Sequence, residues 1–550
     1  MSKILCLSDL DVARKYYEAG FWLRNTFYSR LQALANTSPS AYALRDAVGR
    51  YSYSELLAWT DELATRLYAA GLREGDRVVV WASSRAESVV TLLACSRMGF
   101  VCVPSLHRDS TCAEVLGLLE RCNARAIILE QGWGADVQKV NTLSIFKELE
   151  QLLEIIELPP MVHATPWTGQ TTEWATANSP WTENPDKVIY IAFTSGTTGQ
   201  PKGVMHSDNT ILANGRELAN DWGLLADTIV YCMSPMSHNM GTVGLAMTLA
   251  CGGEFVAHGS EDRHRTFERI IETDANFLIG VPTHAIDLLS KMHENGAQKL
   301  GSVRTFQLSG AAVPTGLVEE LVSLGIAPQN MFGMTENCAA LYTRPGDPAD
   351  LVIRSCGRPP AGLEVELWSD DPNIEVDDGQ IGEIGVRGTS MMLGYFNDQA
   401  VTEGSYNSSG WFLTGDLARH IGDGNFEIVG RKKDLIIRGG HNVHPLRIED
   451  FALRHELIEQ AAVFPVPDPR LGEKIGIAIV SRPAGAVGPE ELLSYLNSVG
   501  LSRYDTPEYF VELESLPLTA SGKVLKRELV GLISRGEVSL REIRWRSSLD

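Results

Sequence analysis

The chain has 550 residues, of which 44% are hydrophobic, so it can bury a large core and should divide into at least two domains. Its formal net charge of -21 disfavours nucleic acid and anionic membranes as partners, and any anionic ligand must be held by locally placed cations. The apolar stretch from Thr242 to Cys251 is too short to cross a bilayer, and the N-terminal residues lack the apolar core of a signal peptide. We therefore expect a cytoplasmic protein without a membrane span or a nucleic-acid partner.

The nine cysteines are odd in number and form no CxxC pair, which favours reduced core residues over disulfides. Cys338 is the one cysteine that we expect near a functional site, because it follows the stretch FGMTEN. Even there, packing is favoured over a nucleophilic role.

An alternation of helices and strands begins at Tyr51. Helical periodicity that ends at Gly71 gives way to a β-rich run, and the same rhythm returns in RTFERIIETDANFLIGVP and GLVEELVSLGIAPQNMFG. Such alternation predicts a mostly parallel sheet covered by helices.

The pattern changes twice in the last third of the chain. Short alternating runs between about Val352 and Leu417, divided by Gly, Asp and Asn, predict an antiparallel subdomain. The order helix, strand, strand, helix, strand after GRKKDLIIRGGHNVHP predicts a small α+β module. We therefore predict an α/β protein. Residues 1–432 form a large domain of parallel sheets covered by helices with a small antiparallel β subdomain, and residues 433–550 form a smaller, mobile α+β domain.

The stretch FTSGTTGQPKG, residues 193–203, is rich in glycine and hydroxyl side chains. Backbone N–H groups of such a loop can gather around an anion, and Lys202 adds a cation. The spacing is not that of the P-loop, because Lys202 is followed by Gly203 rather than by Ser or Thr. We interpret the stretch as a phosphate-binding loop between the strand VIYIAF and a helix that begins near SDNT; a solvated turn is the alternative.

Five stretches, taken together and in order, resemble the core motifs of the adenylate-forming superfamily, which contains acyl-CoA synthetases, nonribosomal-peptide adenylation domains and luciferases. The resemblance runs from roughly residue 31 to residue 529. It rests on FTSGTTGQPKG, MFGMTE, GWFLTGD, GRKKDLIIRGGHNV and LTASGKVLKREL.

The resemblance implies ATP, Mg²⁺ and coenzyme A as cofactors or substrates, together with a small carboxylic acid. The carboxylate would attack the α-phosphate of ATP, and a thiol would then take the acyl group from the adenylate. The residues that the resemblance implies for nucleotide and CoA contacts are Thr194, Ser195, Gly196, Thr197, Thr198, Gly199, Lys202, Gly310, Ala311, Ala312, Asn330, Met331, Phe332, Gly333, Met334, Asp416, Ile428, Arg431, Gly439 and Gly440.

The resemblance also implies individual catalytic roles. Thr335 contacts the α-phosphate, and Glu336 binds magnesium together with Thr198, as suits an oxygen-seeking ion. Lys523, in the turn of TASGKVLKREL, serves adenylation only, after which the tail rotates about Lys433 and presents Gly439 and Gly440 to the thiol.

We expect His238, in SPMSHNMGTVG, to gate the acyl pocket; a structural histidine is the alternative. Expected pocket residues are Asn239, Met240, Gly244, Gly310 and Cys338. The implied function is an AMP-forming acyl-CoA synthetase for a medium-chain, alicyclic or aryl acid. Two alternatives stay open: an aryl-acid adenylating enzyme that loads a carrier-protein thiol, and a catalytically inactive adenylate-binding sensor. A homodimer also stays open.

Overall fold

The computed structural model describes residues 4, 6–7, 9–169, 181–194, 201–259, 265–311, 313–483, 485–518 and 524–544. Within these residues, short 3₁₀ segments lie at Met161–His163, Lys432–Asp434 and Arg503–Asp505. The α-helices of the described residues are α1 (Leu10–Glu18), α2 (Phe27–Thr37), α3 (Tyr53–Ala69), α4 (Ala86–Met98), α5 (Cys112–Arg121), α6 (Thr142–Lys147), α7 (Asp208–Asp221), α8 (Asn239–Cys251), α9 (Thr266–Thr273), α10 (Pro282–Glu294), α11 (Thr315–Ser323), α12 (Ala349–Arg354), α13 (Gln399–Glu403), α14 (Pro445–Leu453), α15 (Pro489–Ser498) and α16 (Lys526–Ser534).

The strands of the same residues, in chain order, are β1 (Tyr42–Arg45), β2 (Arg50–Ser52), β3 (Arg77–Trp81), β4 (Val101–Val103), β5 (Ala124–Glu130), β6 (Glu154–Leu158), β7 (Val188–Thr194), β8 (Lys202–Ser207), β9 (Ile229–Cys232), β10 (Glu254–Ala257), β11 (Phe277–Gly280), β12 (Thr305–Ser309), β13 (Ala327–Met334), β14 (Cys338–Tyr342), β15 (Leu363–Trp368), β16 (Gly382–Gly388), β17 (Phe412–His420), β18 (Phe426–Arg431), β19 (Ile436–Arg438), β20 (His441–Val443), β21 (Ile458–Asp468), β22 (Gly472–Ser481), β23 (Tyr509–Glu512) and β24 (Arg541–Glu542).

Two large sheets dominate the N-terminal part of the described chain. One has the order β6-β5-β3-β4-β7-β8 and is parallel except for the last pair. The other has the order β14-β13-β12-β11-β9-β10-β1-β2, with antiparallel strands only at its two edges. The predicted parallel sheets are thereby confirmed.

Helices α4 and α8 belong to the core that both large sheets share. Nearly every residue of α4 is buried, as is most of α8, and both contribute to one continuous hydrophobic cluster with strands of the two sheets. A helix covered on all sides is apolar all round. This burial explains the apolar stretch from Thr242 to Cys251. Among the helices of the described residues, none combines the length and the apolarity that crossing a bilayer requires.

The last third of the chain has the predicted architecture. Strands β15 to β18 form an antiparallel sheet in chain order. The C-terminal part contains α14, β21, β22, α15 and β23 in the predicted order, with β22 at the centre of its sheet. The fold class of a large α/β domain with a smaller C-terminal domain is confirmed, while the boundary between residues 432 and 433 and the mobility of the tail stay predictions.

One local expectation is wrong. The glycine-rich stretch does not connect a strand directly to a helix, because β8 pairs antiparallel with β7 before the chain turns into α7. Helix α7 begins where the sequence predicts it, with Ser207 as its N-cap in a reciprocal capping box with Thr210. The stretch is therefore the connection of a β-hairpin.

Strands β13 and β14 form a second hairpin, in which Met334 pairs with Cys338. Asn337 closes its turn, since its side-chain oxygen accepts a hydrogen bond from the Met334 N–H and its own N–H donates to the Met334 carbonyl. A Cβ at Gly333 would collide with the Cys338 carbonyl oxygen. Glycine is therefore a steric requirement of this turn.

We expect Gly333→Ala to destabilise the protein by about 1–3 kcal/mol, because backbone has to move to accept the methyl group. Gly316→Ala is the matched control, since Gly316 lies in α11 with no heavy atom within 4 Å of its added Cβ and alanine favours helices. Thermal unfolding of both variants measures the difference. Equal melting temperatures for the two variants would contradict the steric argument.

Candidate functional site

The hairpin of β7 and β8 brings one cation of the predicted site into place. Thr194 and Lys202 are the last pair before the connection of this hairpin, and Lys202 Nζ lies 4.8 Å from the centre of the Tyr395 ring. Cation–π contact of this kind orients a lysine that would otherwise be free to swing. The predicted phosphate contacts Ser195, Gly196, Thr197, Thr198 and Gly199 lie outside the described residues.

Glu336 lies in the turn between β13 and β14 and is only 6% exposed. The Tyr395 hydroxyl donates a hydrogen bond of 2.9 Å to its Oε1. Burial raises the pKa of Glu336, while the Tyr395 hydrogen bond and the positive charges of Lys202 and Arg431 oppose the rise. The structure thus brings the predicted metal ligand and the predicted phosphate-binding lysine together on Tyr395: Glu336 contacts its hydroxyl, and Lys202 lies over its ring.

Asp416 and Arg431 are neighbours across β17 and β18. Arg431 Nε donates to Asp416 Oδ1 at 2.9 Å; the carboxylate is buried, whereas the guanidinium is half-exposed. A carboxylate held this way can accept hydroxyl hydrogen bonds from a ribose. The predicted sugar-binding pair is therefore already assembled, and its role stays a prediction.

The residues predicted beside the adenine lie on or next to β12, β13 and β18. Phe332 and Ile428 both pack against the hydrophobic cluster of the antiparallel sheet, and Gly310 has a φ of 86° that favours glycine. The Asn330 amide donates to the carbonyls of Val352 and Ser355, so its side chain is engaged in the fold. Met331 is buried, Gly333 and Met334 are half-buried, Ala311 is exposed and Ala312 lies outside the described residues.

Three of the residues predicted to line the acyl pocket, Asn239, Met240 and Gly244, lie on α8. Asn239 Nδ2 donates to Cys338 Sγ at 3.6 Å, which brings two predicted pocket residues into contact. Cys338 is buried, and burial raises the pKa of its thiol to about 12, which disfavours the thiolate form that a nucleophile needs. A Cβ at Gly244 would lie 2.9 Å from Ile279 Cδ1, so α8 lies directly on β11. Met240 is half-buried.

His238 precedes α8 and faces a second histidine that the sequence analysis missed. The rings of His107 and His238 are 5.3 Å apart with an angle of 33° between their planes. His107 Nδ1 is 2.9 Å from the Ser237 hydroxyl, and burial lowers the pKa of His107. The predicted gate therefore rests against a neutral imidazole.

The remaining predicted residues belong to the C-terminal part. Gly439 and Gly440 turn between β19 and β20 with φ of 58° and 86°. Burial and the nearby Arg431 lower the pKa of Lys433. Lys523 lies outside the described residues, whereas Lys526 forms an ion pair of 2.6 Å with Glu449.

Sequence reasoning also missed His206, a fully buried histidine in β8. Its Nε2 lies 2.6 Å from the Thr335 carbonyl oxygen and its Nδ1 lies 3.0 Å from the Thr210 hydroxyl. Burial lowers the pKa of His206 to about 4, so the ring is neutral and donates from Nε2. A polar ring on the buried face of an apolar strand was the available signal.

Magnesium, which the superfamily implies, fits the donors present. Among the described residues, no group of three or more His, Cys, Asp or Glu side chains could hold a metal by itself. Mg²⁺ usually takes one or two carboxylates and completes its shell with phosphate oxygens and water. A single buried Glu336 beside the predicted phosphate loop has that chemistry.

Comparison with known families decides the class. The family described as AMP-binding enzyme matches residues 31–396, and its C-terminal domain matches residues 447–523. The chain belongs to the AMP-binding enzyme family. The predicted adenylate-forming superfamily is thereby confirmed.

Relatives within this AMP-binding family match over nearly the whole chain. A medium-chain fatty-acid–CoA ligase of Escherichia coli (strain K12) is 28% identical, covering 93% of this chain and 91% of its own length. A feruloyl-CoA synthase of an Amycolatopsis species is 31% identical, covering 90% of this chain and 96% of its own length. The crystal structure of ATP-bound MatB from Rhodopseudomonas palustris has a TM-score of 0.80 at 25% identity, and the match covers 92% of this chain and 98% of that chain.

His206 predicts a pH dependence of stability in this AMP-binding enzyme. Its pKa is lower in the folded than in the unfolded chain, so it contributes stability that is complete above pH 6.5 and is lost as the pH falls towards 4. The loss amounts to about 3 kcal/mol, since one pKa unit is worth about 1.4 kcal/mol. His206→Gln does not titrate, so the difference in melting temperature between wild type and variant should shrink from pH 7 to pH 4. Parallel curves over that range would exclude this linkage.

Proposed function

We propose that the protein is an AMP-forming acid:CoA ligase. It activates a small carboxylic acid with ATP and transfers the acyl group from the adenylate to coenzyme A. The observation that carries the proposal is that Lys202 and Glu336 both contact Tyr395. Arg431, which is paired with Asp416, is close enough to Glu336 to oppose the rise of its pKa. CoA ligases among the relatives that match over nine tenths of the chain support it.

The first half-reaction brings together two anions. A carboxylate oxygen attacks the α-phosphorus, and the bond from the α-phosphorus to the α,β-bridging oxygen breaks, so that pyrophosphate leaves with the bonding electrons. The site therefore has to neutralise charge and align the groups. Lys202 and the backbone of its loop would hold the leaving pyrophosphate, Thr335 the α-phosphate, and Asp416 the ribose. Magnesium, when bound to Glu336 and Thr198, supplies additional positive charge to the phosphates.

The second half-reaction needs a path for a thiol. The thiolate sulfur attacks the acyl carbon, and AMP leaves with the bonding electrons. The turn of Gly439 and Gly440 would border this path, because residues without side chains leave room for a pantetheine arm. His238, resting against His107, would act as the gate between the acyl pocket and the thiol.

We further propose that the acid is compact, either of medium length or with one ring. Helix α8 lies directly on β11 at Gly244, which would limit the depth of a pocket lined by this part of α8. A pocket separates acids that differ by one methylene by only ~1–3 kcal/mol, so we expect a range of substrates. Release of pyrophosphate, followed by thioester formation with CoA, should be measured for medium-chain, alicyclic, aryl and palmitate-length acids.

These measurements distinguish the proposed ligase from the two alternative functions. A higher kcat/KM for palmitate-length acids than for every compact acid would contradict the proposed pocket. Pyrophosphate release without transfer to CoA would favour the loading of a carrier-protein thiol. Absence of ATP turnover with every acid would favour an adenylate-binding sensor, against which the presence of Thr335, Glu336 and Lys523 together argues.

Lys523 should act in only one half-reaction. Its ammonium would bridge the attacking carboxylate and the α-phosphate, a role in which loss of one preorganised donor costs ~10²–10³ in rate. Lys523→Ala should therefore lose most ATP-dependent activity, yet convert supplied acyl-adenylate and CoA to thioester at a rate close to wild type.

The matched control is Lys526→Ala, three residues further on. Lys526 forms an ion pair with Glu449 within the C-terminal part, so its loss should affect stability more than adenylation. The alternating role of the tail is excluded if the supplied adenylate reacts as poorly as ATP plus acid in Lys523→Ala. It is equally excluded if Lys526→Ala has the larger adenylation defect.

A further inference from the structure

The turn between β13 and β14 carries the two residues to which we assign the α-phosphate and magnesium. Its three backbone carbonyls each accept a hydrogen bond from outside the hairpin. The Thr335 carbonyl accepts from His206 Nε2 at 2.6 Å, the Glu336 carbonyl from the Met392 N–H at 2.7 Å, and the Asn337 carbonyl from the Ser390 hydroxyl at 3.0 Å. The turn is therefore held at three points.

The three donors come from two sides. Met392 and Ser390 belong to the segment that precedes Tyr395, whereas His206 belongs to β8, the strand that begins with Lys202. The imidazole is thus a side-chain link from β8 to the turn. A hydrogen bond at each ring nitrogen fixes the distance that this link spans.

The state of the imidazole is fixed by its surroundings. No exposed surface remains on His206, and Nε2 faces a carbonyl, which can only accept. Nε2 therefore carries the proton, and Nδ1 accepts from the Thr210 hydroxyl, whose residue lies in the first turn of α7. Tyr190, its partner across β7 and β8, is the nearest aromatic ring, at 6.4 Å.

We infer that His206 is a positioning residue for adenylation: it holds the Thr335–Glu336 turn at a set distance from β8, the strand that begins with Lys202. The inference rests on the proposed function. Without the Nε2 donor, the half-buried Thr335 carbonyl would lose its protein partner and the turn would shift to recover one. Thr335 and Glu336 would then move relative to Lys202, and the groups that neutralise the triphosphate would no longer converge.

Two substitutions separate the hydrogen bond from the volume of the ring. Gln carries an amide N–H at about the position of Nε2, whereas Met has similar length and no donor. We expect His206→Met to lower the rate of acid-dependent pyrophosphate exchange by ~10–100-fold, the usual range for groups that orient a ligand-binding residue. His206→Gln should recover most of this loss. The rate of thioester formation from supplied acyl-adenylate and CoA should fall several-fold less.

The matched control is Tyr190→Phe. Tyr190 is fully buried and pairs with His206 across β7 and β8, while its hydroxyl faces Thr242 of α8, so removal of this hydroxyl should leave both half-reactions unchanged. If His206→Met does not fold, His206→Asn replaces it, because the shorter amide cannot reach the Thr335 carbonyl. Melting temperatures identify the temperature at which every variant is folded.

Three results would overturn the inference. The first is a rate of pyrophosphate exchange within about twofold of wild type in folded His206→Met or His206→Asn. The second is an equal defect in His206→Gln and in the donor-free variant. The third is an equal loss in the two half-reactions, which would indicate a general structural role. Failure of the proposed function is distinguishable, because wild-type protein would then show no pyrophosphate exchange with any acid.

Discussion

A chain with a net charge of -21 that binds a triphosphate and a carboxylate together has to place each cation individually. The net negative charge of the chain as a whole does not attract these anions. Lys202 is oriented over the Tyr395 ring, and Arg431 is held by Asp416. The rest of the site depends on keeping these two cations at fixed positions beside the buried carboxylate of Glu336.

Rigid backbone provides those positions. The β7–β8 hairpin carries Lys202, and the segment 393–396 extends it, since the Met205 and Phe396 N–H groups donate to the carbonyls of Gly394 and Gly203. The Tyr395 side chain therefore has a defined place between Lys202 and Glu336. A buried carboxylate is costly to ionise alone, and the hydrogen bond from Tyr395 together with the two nearby cations offsets part of that cost for Glu336.

Much of this architecture follows from local sequence patterns. The alternation of helix and strand predicted the parallel sheets, and the change of period after Val352 predicted the antiparallel sheet. Ser207 marked the start of α7 through its capping box. The hairpin was mistaken for a strand–helix connection because the short strand β8 carries a histidine and a serine, which break the apolar pattern that marks a buried strand.

The sequence by itself determined the class of the protein and the identity of the motif residues, because these depend on residue types and spacings along the chain. Only the tertiary structure decided which distant residues meet. Tyr395 contacts Glu336 across 59 positions, and His206 contacts Thr335 across 129. His107, in the loop after β4, contacts His238, in the loop after β9 of the other large sheet. Such contacts follow from the packing of whole sheets around a shared core, and neither local propensity nor periodicity contains that information.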